Sequence, residues 1–289
     1  MPSPDFVLAP HETRLPPVHL PAPPGGRSLD AILAAVQLLL EQHDHVVFLH
    51  SSSTDAGIPQ RLRTVRSVLE TDRIAVLRTE LPPLATGVLA HQLRQLSVYD
   101  FGPGVLASAA LLLPHYIYAG ALLDSVAKLD RVAVSLRSHA RSWVPGAQFG
   151  VLANPVPRLV DIDDRASLPG PSYPTHMVLA GDRISSDWVR RGPASQWPVQ
   201  ALEERRLPEE SPLWWGTSKL VEFAAAIPDV GTLCQLVNSV QRQRCPWCAL
   251  ELIGERCVFC DAPVLPHGNP TSRPGVARRD GTPPGAGQR

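Results

Sequence analysis

Short apolar runs alternate with amphipathic stretches between residues 27 and 240. The apolar runs at residues 46–49 and 74–77 have the length of buried strands, and stretches with apolar residues at helical spacing stand before, between and after them. This alternation is typical of βαβ units, in which helices cover both faces of a sheet. The sequence therefore predicts an α/β body with a mainly parallel sheet flanked by helices. Further strands are predicted at residues 150–153, 159–162 and 176–180.

The predicted helices of this body have recognisable starts and faces. The first begins after Ser28, whose hydroxyl suits an N-cap, and continues to about His43. The next two cover residues 58–70, where apolar and basic side chains form opposite faces, and residues 86–96. Residues 163–215 are rich in proline and charge, and their pattern specifies no element.

One stretch of 23 residues, 101–123, contains no Asp, Glu, Lys or Arg. About 20 helical residues suffice to span a bilayer, so the length alone would permit a membrane span. Pro114 and His115 interrupt the stretch, however, and Tyr116 and Tyr118 would lie at mid-depth and not at an interface. We therefore predict a kinked core helix here and no membrane span.

The clearest chemical motif is a set of four cysteines near the C-terminus. Cys245 and Cys248 enclose Pro-Trp, and after eight further residues Cys257 and Cys260 enclose Val-Phe. A CxxC turn places two thiolates on one side of a tight knuckle, and two knuckles supply a tetrahedral zinc site. Four protein ligands leave no open coordination position, so the motif predicts structural Zn²⁺. An iron centre and a redox pair are the alternatives.

This motif resembles the short bacterial zinc ribbons with the pattern CPxC…CxxC. The resemblance covers residues 245–260. The spacer between the knuckles, in which Leu250 and Leu252 alternate with polar residues, is long enough for a hairpin that brings the knuckles together. Ala249 and Asp261 stand at the positions where a glycine usually follows each knuckle.

Composition narrows the class of protein. The 289 residues are 44% hydrophobic, which is enough for a substantial core and excludes a wholly disordered chain. The 27 basic and 27 acidic residues cancel, so no global field attracts nucleic acid or anionic lipid. Arginine supplies 25 of the basic residues and lysine 2, which indicates a high-GC bacterium or its phage. The cysteine usage and the absence of a signal-peptide pattern predict a cytoplasmic protein.

Proline marks the predicted segment boundaries. Of 31 prolines, eight fall in residues 1–26 and six in residues 263–289. Proline removes hydrogen-bond donors and favours extended backbone, so both ends are predicted to lie outside the core. The predicted order is an N-terminal arm (1–26), an α/β body (27–240), a zinc ribbon (241–262) and a disordered basic tail rich in proline and glycine (263–289).

The loop after the first predicted strand, residues 50–57, is the candidate small-molecule site. Ligands of doubly wound sheets bind beyond the carboxyl ends of strands, where the next helix also offers backbone N–H groups. The candidate binding residues are His50, Ser51, Ser52, Ser53, Thr54 and Gly57. The alternative is a serine-rich turn that only caps the next helix.

Two short motifs resemble those of the sirtuin-type NAD-dependent deacylases. The first motif is the apolar run at 46–49 followed by Ser53 and Gly57-Ile58-Pro59, and it is similar to their first strand and NAD loop. The second is the Gly-Thr-Ser at the start of residues 216–220, and it is similar to their later GTS motif. His50-Ser51-Ser52 replaces their GAG, no matching catalytic histidine is evident, and the cysteine pairs follow the GTS motif instead of preceding it. The resemblance implies a degenerate NAD-binding fold without deacylase activity.

The leading functional hypothesis is a non-catalytic interaction or adaptor protein whose ribbon docks to a protein partner, because the metal site is closed and no catalytic constellation is complete. A nucleotide- or NAD-binding enzyme that uses the loop at 50–57 is the first alternative. The second is an accessory protein that binds nucleic acid through the ribbon and the basic tail. Arg242, Arg244, Trp247 and Phe259 combine phosphate-binding and base-stacking side chains, and the tail adds Arg273, Arg278, Arg279 and Arg289.

Overall fold

The structure is a computed structural model and describes residues 28–160, 162 and 168–264. The predicted N-terminal arm at 1–26 and nearly all of the predicted tail at 263–289 lie outside these described residues.

The N-terminal unit is a small parallel sheet with helices. Its elements are α1 (Leu29–Gln42), β1 (Val46–Ser51), α2 (Gly57–Val68) and β2 (Ile74–Thr79). The predicted cap of α1 is confirmed, since the Ser28 hydroxyl accepts the N–H of Ala31 at 3.2 Å. β1 and β2 pair in parallel, and side chains on one face of this pair, such as Phe48 and Val76, pack on α1 and α2. The other face is therefore left for a different part of the chain.

The apolar stretch at 101–123 is not one kinked helix. It contains α4 (Pro103–Leu112), a 3-10 turn (Leu113–Tyr116) and β3 (Tyr118–Leu123), and it follows α3 (Pro83–Leu96). Pro114 lies in the 3-10 turn, and the residues after it are extended because they pair with strands on both sides. Among the described residues, no helix is long and apolar enough to cross a membrane.

The main sheet has six strands in the order β5-β4-β3-β8-β6-β7. The strands other than β3 are β4 (Phe149–Asn154), β5 (Arg158–Val160), β6 (Thr175–Asp182), β7 (Val199–Arg205) and β8 (Leu220–Ala226). The helices in this half are α5 (Leu136–Arg141), α6 (Asp187–Arg191), α7 (Pro193–Gln196), α8 (Ser211–Trp215) and α9 (Val230–Ser239).

The α/β class is confirmed, but the prediction of a mainly parallel sheet is wrong. β6 and β7 pair in parallel, whereas the other four neighbouring pairs of the six-stranded sheet are antiparallel. Parallel neighbours need long crossover connections, usually helical, and the helices α5 to α8 have only four to six residues each. The sheet is consequently mixed.

The main sheet is covered on both faces. Val221 and Phe223 of β8 point toward a layer that contains Trp188 and Trp197. Alternate residues of β8, among them Ala224, point to the opposite face, where α3 and α4 pack. α3 thus lies between the main sheet and the N-terminal unit, and its first turn is close to the end of β2.

Candidate functional site

The four predicted zinc ligands come together in space. The Sγ atoms of Cys245, Cys248, Cys257 and Cys260 all lie within 4.8 Å of one another. The Sγ atoms of Cys245 and Cys260 are 3.5 Å apart, and those of Cys248 and Cys257 are 3.6 Å apart. Tetrahedral Zn–S bonds of about 2.3 Å require sulfur atoms about 3.8 Å apart. The cluster can therefore hold a metal ion with small adjustments.

The two knuckles share one backbone geometry. The N–H of Ala249 donates to the carbonyl of Cys245 at 3.1 Å, and the N–H of Asp261 donates to that of Cys257 at 2.9 Å. Ala249 and Asp261 have φ values of 59° and 64°, in the left-handed region that favours glycine. Ala249 and Asp261 thus adopt the left-handed backbone conformation that glycine usually provides after each knuckle of a zinc ribbon.

The environment of Cys245 favours a thiolate. Burial alone would raise its pKa, but N–H groups from Trp247 and Cys248 point at the sulfur and hold the pKa at about 7. Burial raises the pKa of Cys248 and Cys260 in the same cluster, so of these three cysteines only Cys245 has the lowered pKa that favours the thiolate, the form that binds a metal.

The ribbon covers the free face of the N-terminal sheet. Its strands β9 (Arg242–Arg244) and β10 (Glu251–Ile253) pair antiparallel around the first knuckle. Leu252 and Phe259 are fully buried against Ala75 and Leu77 of β2 and against α4. At Gly104 of α4, an added Cβ would lie 2.2 Å from the Glu251 carbonyl oxygen. The ribbon is therefore part of the core and not a separate appendage.

The serine-rich loop leaves the end of β1 and stays beside β2. The N–H of Ser52 donates to the Thr79 carbonyl at 2.9 Å, and the hydroxyls of Ser51 and Ser53 are 3.1 Å apart. The Nδ1–H of His50 donates to the Ser51 carbonyl at 3.1 Å. Burial lowers the pKa of His50, so its ring is held neutral near pH 7.

These serines do not cap α2. The N-cap position is Ala56, and among the described residues it has no side-chain capping bond. Asp55 accepts the N–H of Gly57 at 3.0 Å instead. The hydroxyls of the loop thus lie ahead of the helix without acting as its cap.

Arg131 reaches this loop from the connection after β3. Its Nε donates to the Ser52 hydroxyl at 3.3 Å, and its Nη1 donates to Asp130 at 3.0 Å. The guanidinium lies over the indole of Trp214, 5.1 Å from the ring centroid, which fixes its orientation. The sequence offered no local signal for Arg131, because the contact joins positions 79 residues apart.

A fully buried carboxyl group lies in the interior of the main sheet. Glu222 of β8 accepts the N–H of Leu84 at 2.9 Å and the hydroxyl of Ser211 at 2.5 Å. Burial raises its pKa to about 7, although both hydrogen bonds act in the opposite direction. The sequence signal that was missed is an acidic residue within the apolar run of residues 220–226.

A small cavity lies at the far end of α3. It has a volume of about 130 Å³ and is lined by residues that include Val88, His91, Gln92, His176 and Glu203. Pockets for drug-sized ligands usually have about 300–1,000 Å³. This cavity is therefore too small for a long ligand unless the packing around α3 opens.

The GTS segment has a structural role. Gly216 ends α8 in the left-handed conformation, and an added Cβ there would lie 2.6 Å from the Lys128 carbonyl oxygen. The Thr217 hydroxyl donates to Asp124 at 2.5 Å and so ties the start of β8 to the end of β3. The motif thus forms a tight turn in the main sheet.

Solved structures of lipid-binding proteins share the fold. A fatty-acid-binding DegV family protein from Thermus thermophilus matches with a TM-score of 0.50 and 13% identity, over 69% of this chain and 76% of its own. A DegV lipid-binding protein from Thermotoga maritima gives 0.51 and 14%, over 70% and 76%. A stearic-acid-binding protein from Eubacterium ventriosum gives 0.52 and 9%, over 71% and 78%. No protein-family model and no curated protein sequence matches the chain.

These comparisons correct the functional hypotheses drawn from the sequence. The fold is that of DegV family structures, so the sirtuin-like resemblance and the NAD-binding enzyme are wrong. The ribbon adaptor with a protein partner and the accessory protein that binds nucleic acid are also wrong, because the proteins of similar fold bind fatty acids. The ribbon packs into the core, whereas its local cysteine spacing had suggested a separate docking module.

Proposed function

We propose that the protein binds a fatty acid, with the ligand carboxylate between Arg131 and the loop residues Ser51, Ser52, Ser53 and Thr54. The observation that carries the proposal is the bond from Arg131 to Ser52, because it joins the N-terminal unit to the main sheet. Hydroxyl donors beside a guanidinium suit a carboxylate, which accepts several charge-assisted hydrogen bonds. The names of the proteins with a similar fold point to the same ligand class.

The ligand tail is expected to enter the apolar layer between α3 and the main sheet. Leu81, whose carbonyl accepts the Ser51 hydroxyl at 3.5 Å, belongs to this layer, and so do Leu84 and Ala224. The tail would therefore find apolar side chains directly beside the proposed carboxylate site. Since the cavity near His91 is small, we expect binding to displace side chains of α3.

Titration with palmitate, followed by calorimetry and by the melting temperature, tests this function. Wild-type protein is expected to bind and to melt at a higher temperature with ligand, since binding to the native state alone stabilises it. Arg131→Gln is expected to weaken binding, whereas the exposed Arg137→Gln in the same connection serves as the matched control. Equal affinities for these two variants would contradict the proposed site.

We further propose that Cys245, Cys248, Cys257 and Cys260 hold structural Zn²⁺. The sulfur distances, the closed set of four ligands and the burial of the ribbon support a role in folding. Metal analysis of the purified protein should give one equivalent of zinc, and Cys248→Ser should lower it. Full folding and stability without bound metal would argue against this role.

A further inference from the structure

A single buried carboxylate connects the two elements that frame the proposed carboxylate site. Glu222 is fully buried in β8, between two residues that point to the other face of the sheet. One of its oxygens accepts the N–H of Leu84 in the first turn of α3, and the other accepts the hydroxyl of Ser211 in α8. Glu222 therefore fixes the starts of α3 and α8 relative to each other.

Each of these helices leads to one side of the loop. On the α3 side, Leu81 precedes the helix, and its carbonyl accepts the Ser51 hydroxyl at 3.5 Å. On the α8 side, Trp214 lies one turn after Ser211, and its indole packs against the guanidinium of Arg131, which donates a hydrogen bond to Ser52. A change in the hydrogen bonds of Glu222 can therefore shift the positions of both the loop hydroxyls and the Arg131 guanidinium.

The surroundings of Glu222 contain little compensating charge. Its neighbours on the adjacent strands are Ala121 of β3 and Ala180 of β6. The first two turns of α3 and the whole of α8 have no ionisable side chain, and Glu210, just before α8, adds a like charge. An ionised carboxylate is costly to bury without a cationic partner, so a bound anion nearby would favour the protonated form.

We propose that Glu222 is a positioning residue for the ligand carboxylate and that it takes up a proton when the ligand binds. The proposal rests on fatty-acid binding at Ser51, Ser52 and Arg131. The proton comes from solvent and stays on a Glu222 oxygen, which then donates where the ionised group could only accept. The Ser211 hydroxyl can become the acceptor of that bond without a change of position.

Calorimetry with palmitate at pH 7, in phosphate and in Tris, measures the protons exchanged on binding, because these buffers differ in their heats of ionisation. Wild-type protein should take up a fraction of one proton per ligand. Glu222→Gln should take up markedly fewer protons, since the amide cannot titrate, while Glu209→Gln, at an exposed position that does not act on Glu222, should behave as wild type. Far-UV circular dichroism checks that each variant is folded.

A second variant covers the case in which Glu222→Gln fails to fold. Ser211→Ala removes a bond that favours the ionised carboxylate, so the proton uptake of this variant should reach its maximum at higher pH than that of wild type. An unshifted profile would overturn the proposal.

The outcomes separate the two proposals. Palmitate binding by wild type without proton uptake would overturn the role of Glu222 and leave fatty-acid binding intact. Undiminished uptake in Glu222→Gln would also overturn it and would assign the proton to another group, such as the partly buried His50. No binding by wild type would overturn both.

Discussion

Arg131 and Ser52 lie 79 residues apart in sequence, and the guanidinium Nε of the first donates to the hydroxyl of the second at 3.3 Å. The arginine belongs to the connection between β3 and β4, and the serine belongs to the loop after β1. Their contact brings a fixed cation to a row of hydroxyls at the junction of the two units. This junction is the proposed site for the fatty-acid carboxylate.

Replacement of Arg131 should reduce ligand affinity strongly. A hydrogen bond to a charged group contributes about 1.5–3 kcal/mol, so Arg131→Gln is expected to raise the Kd for palmitate roughly 10- to 100-fold. Arg131→Lys should recover only part of this loss, because lysine lacks the planar group that lies over Trp214. Calorimetric titration gives both values, and an unchanged Kd for Arg131→Gln would exclude a direct contact.

Replacement of the loop hydroxyl should have a smaller effect. Ser52→Ala removes a neutral donor worth about 0.5–1.5 kcal/mol, so we expect a Kd increase of roughly 2- to 10-fold. Ser67→Ala in α2, whose hydroxyl bonds only to its own helix among the described residues, is the control. Equal effects of the two changes on Kd would argue against the loop as the ligand site.

Glu222 should make stability depend on pH. Its folded-state pKa of about 7 lies above the unfolded value of 4.5, so the native state binds the proton more tightly. The free energy of unfolding should therefore fall as pH rises from about 4.5 to about 7, by up to about 3 kcal/mol, and level off above. In Glu222→Gln this fall should disappear. Urea unfolding of both proteins at several pH values measures the free energy of unfolding and so shows whether the fall is present. The same fall in wild type and variant would contradict the assignment.

Loss of the zinc proposed for the ribbon should destabilise the N-terminal unit. Leu252 and Phe259 would lose their burial against β2 and α4, and each buried side chain of this size contributes about 1.5–3 kcal/mol. Cys257→Ser should therefore lower the unfolding free energy by about 3 kcal/mol or more. The fifth cysteine, Cys234, lies in α9 outside the cluster and provides the control. The variant Cys234→Ala should therefore keep the proposed zinc and the stability that the zinc confers.

The contact between α4 and the ribbon can be tested by one methyl group. Gly104→Ala would place a Cβ 2.2 Å from the Glu251 carbonyl oxygen and force the ribbon away from α4, at a cost of about 1–3 kcal/mol. In Gly102→Ala, nothing described lies within 4 Å of the added Cβ, and only a helix N-cap effect of about 1 kcal/mol or less is expected. Thermal unfolding should separate the two variants, and equal melting temperatures would contradict this close packing.

Local patterns predicted the N-terminal unit well. The Ser28 cap and the helical spacing of apolar residues specify α1, and the two short apolar runs become β1 and β2. The cysteine spacing also predicted the cluster, because a CxxC knuckle is a local structure of few residues. These features depend on neighbours in sequence, so they can be recognised without the fold.

The main sheet was predicted only in part: the strands predicted at residues 150–153, 159–162 and 176–180 correspond to β4, β5 and β6, whereas β3, β7 and β8 were not recognised. β8 is rich in alanine and includes Glu222, so its composition does not indicate a strand, and it is extended because β3 and β6 pair on its two sides. The stretch at 101–123 likewise changes from helix to strand where the sheet begins. Pairing with distant strands overrides local preference at both positions.

The sequence by itself determined the hydroxyl-rich loop, the cluster of four cysteines and the α/β class, since each depends on a short stretch of residues. Only the tertiary structure decided which groups face that loop. Arg131 and Trp214 come from connections of the main sheet, and Glu222 comes from its centre, so the proposed site forms when distant strands pair. The tertiary structure also decided that the ribbon belongs to the core, because its apolar side chains and the free face of the β1–β2 pair bury each other.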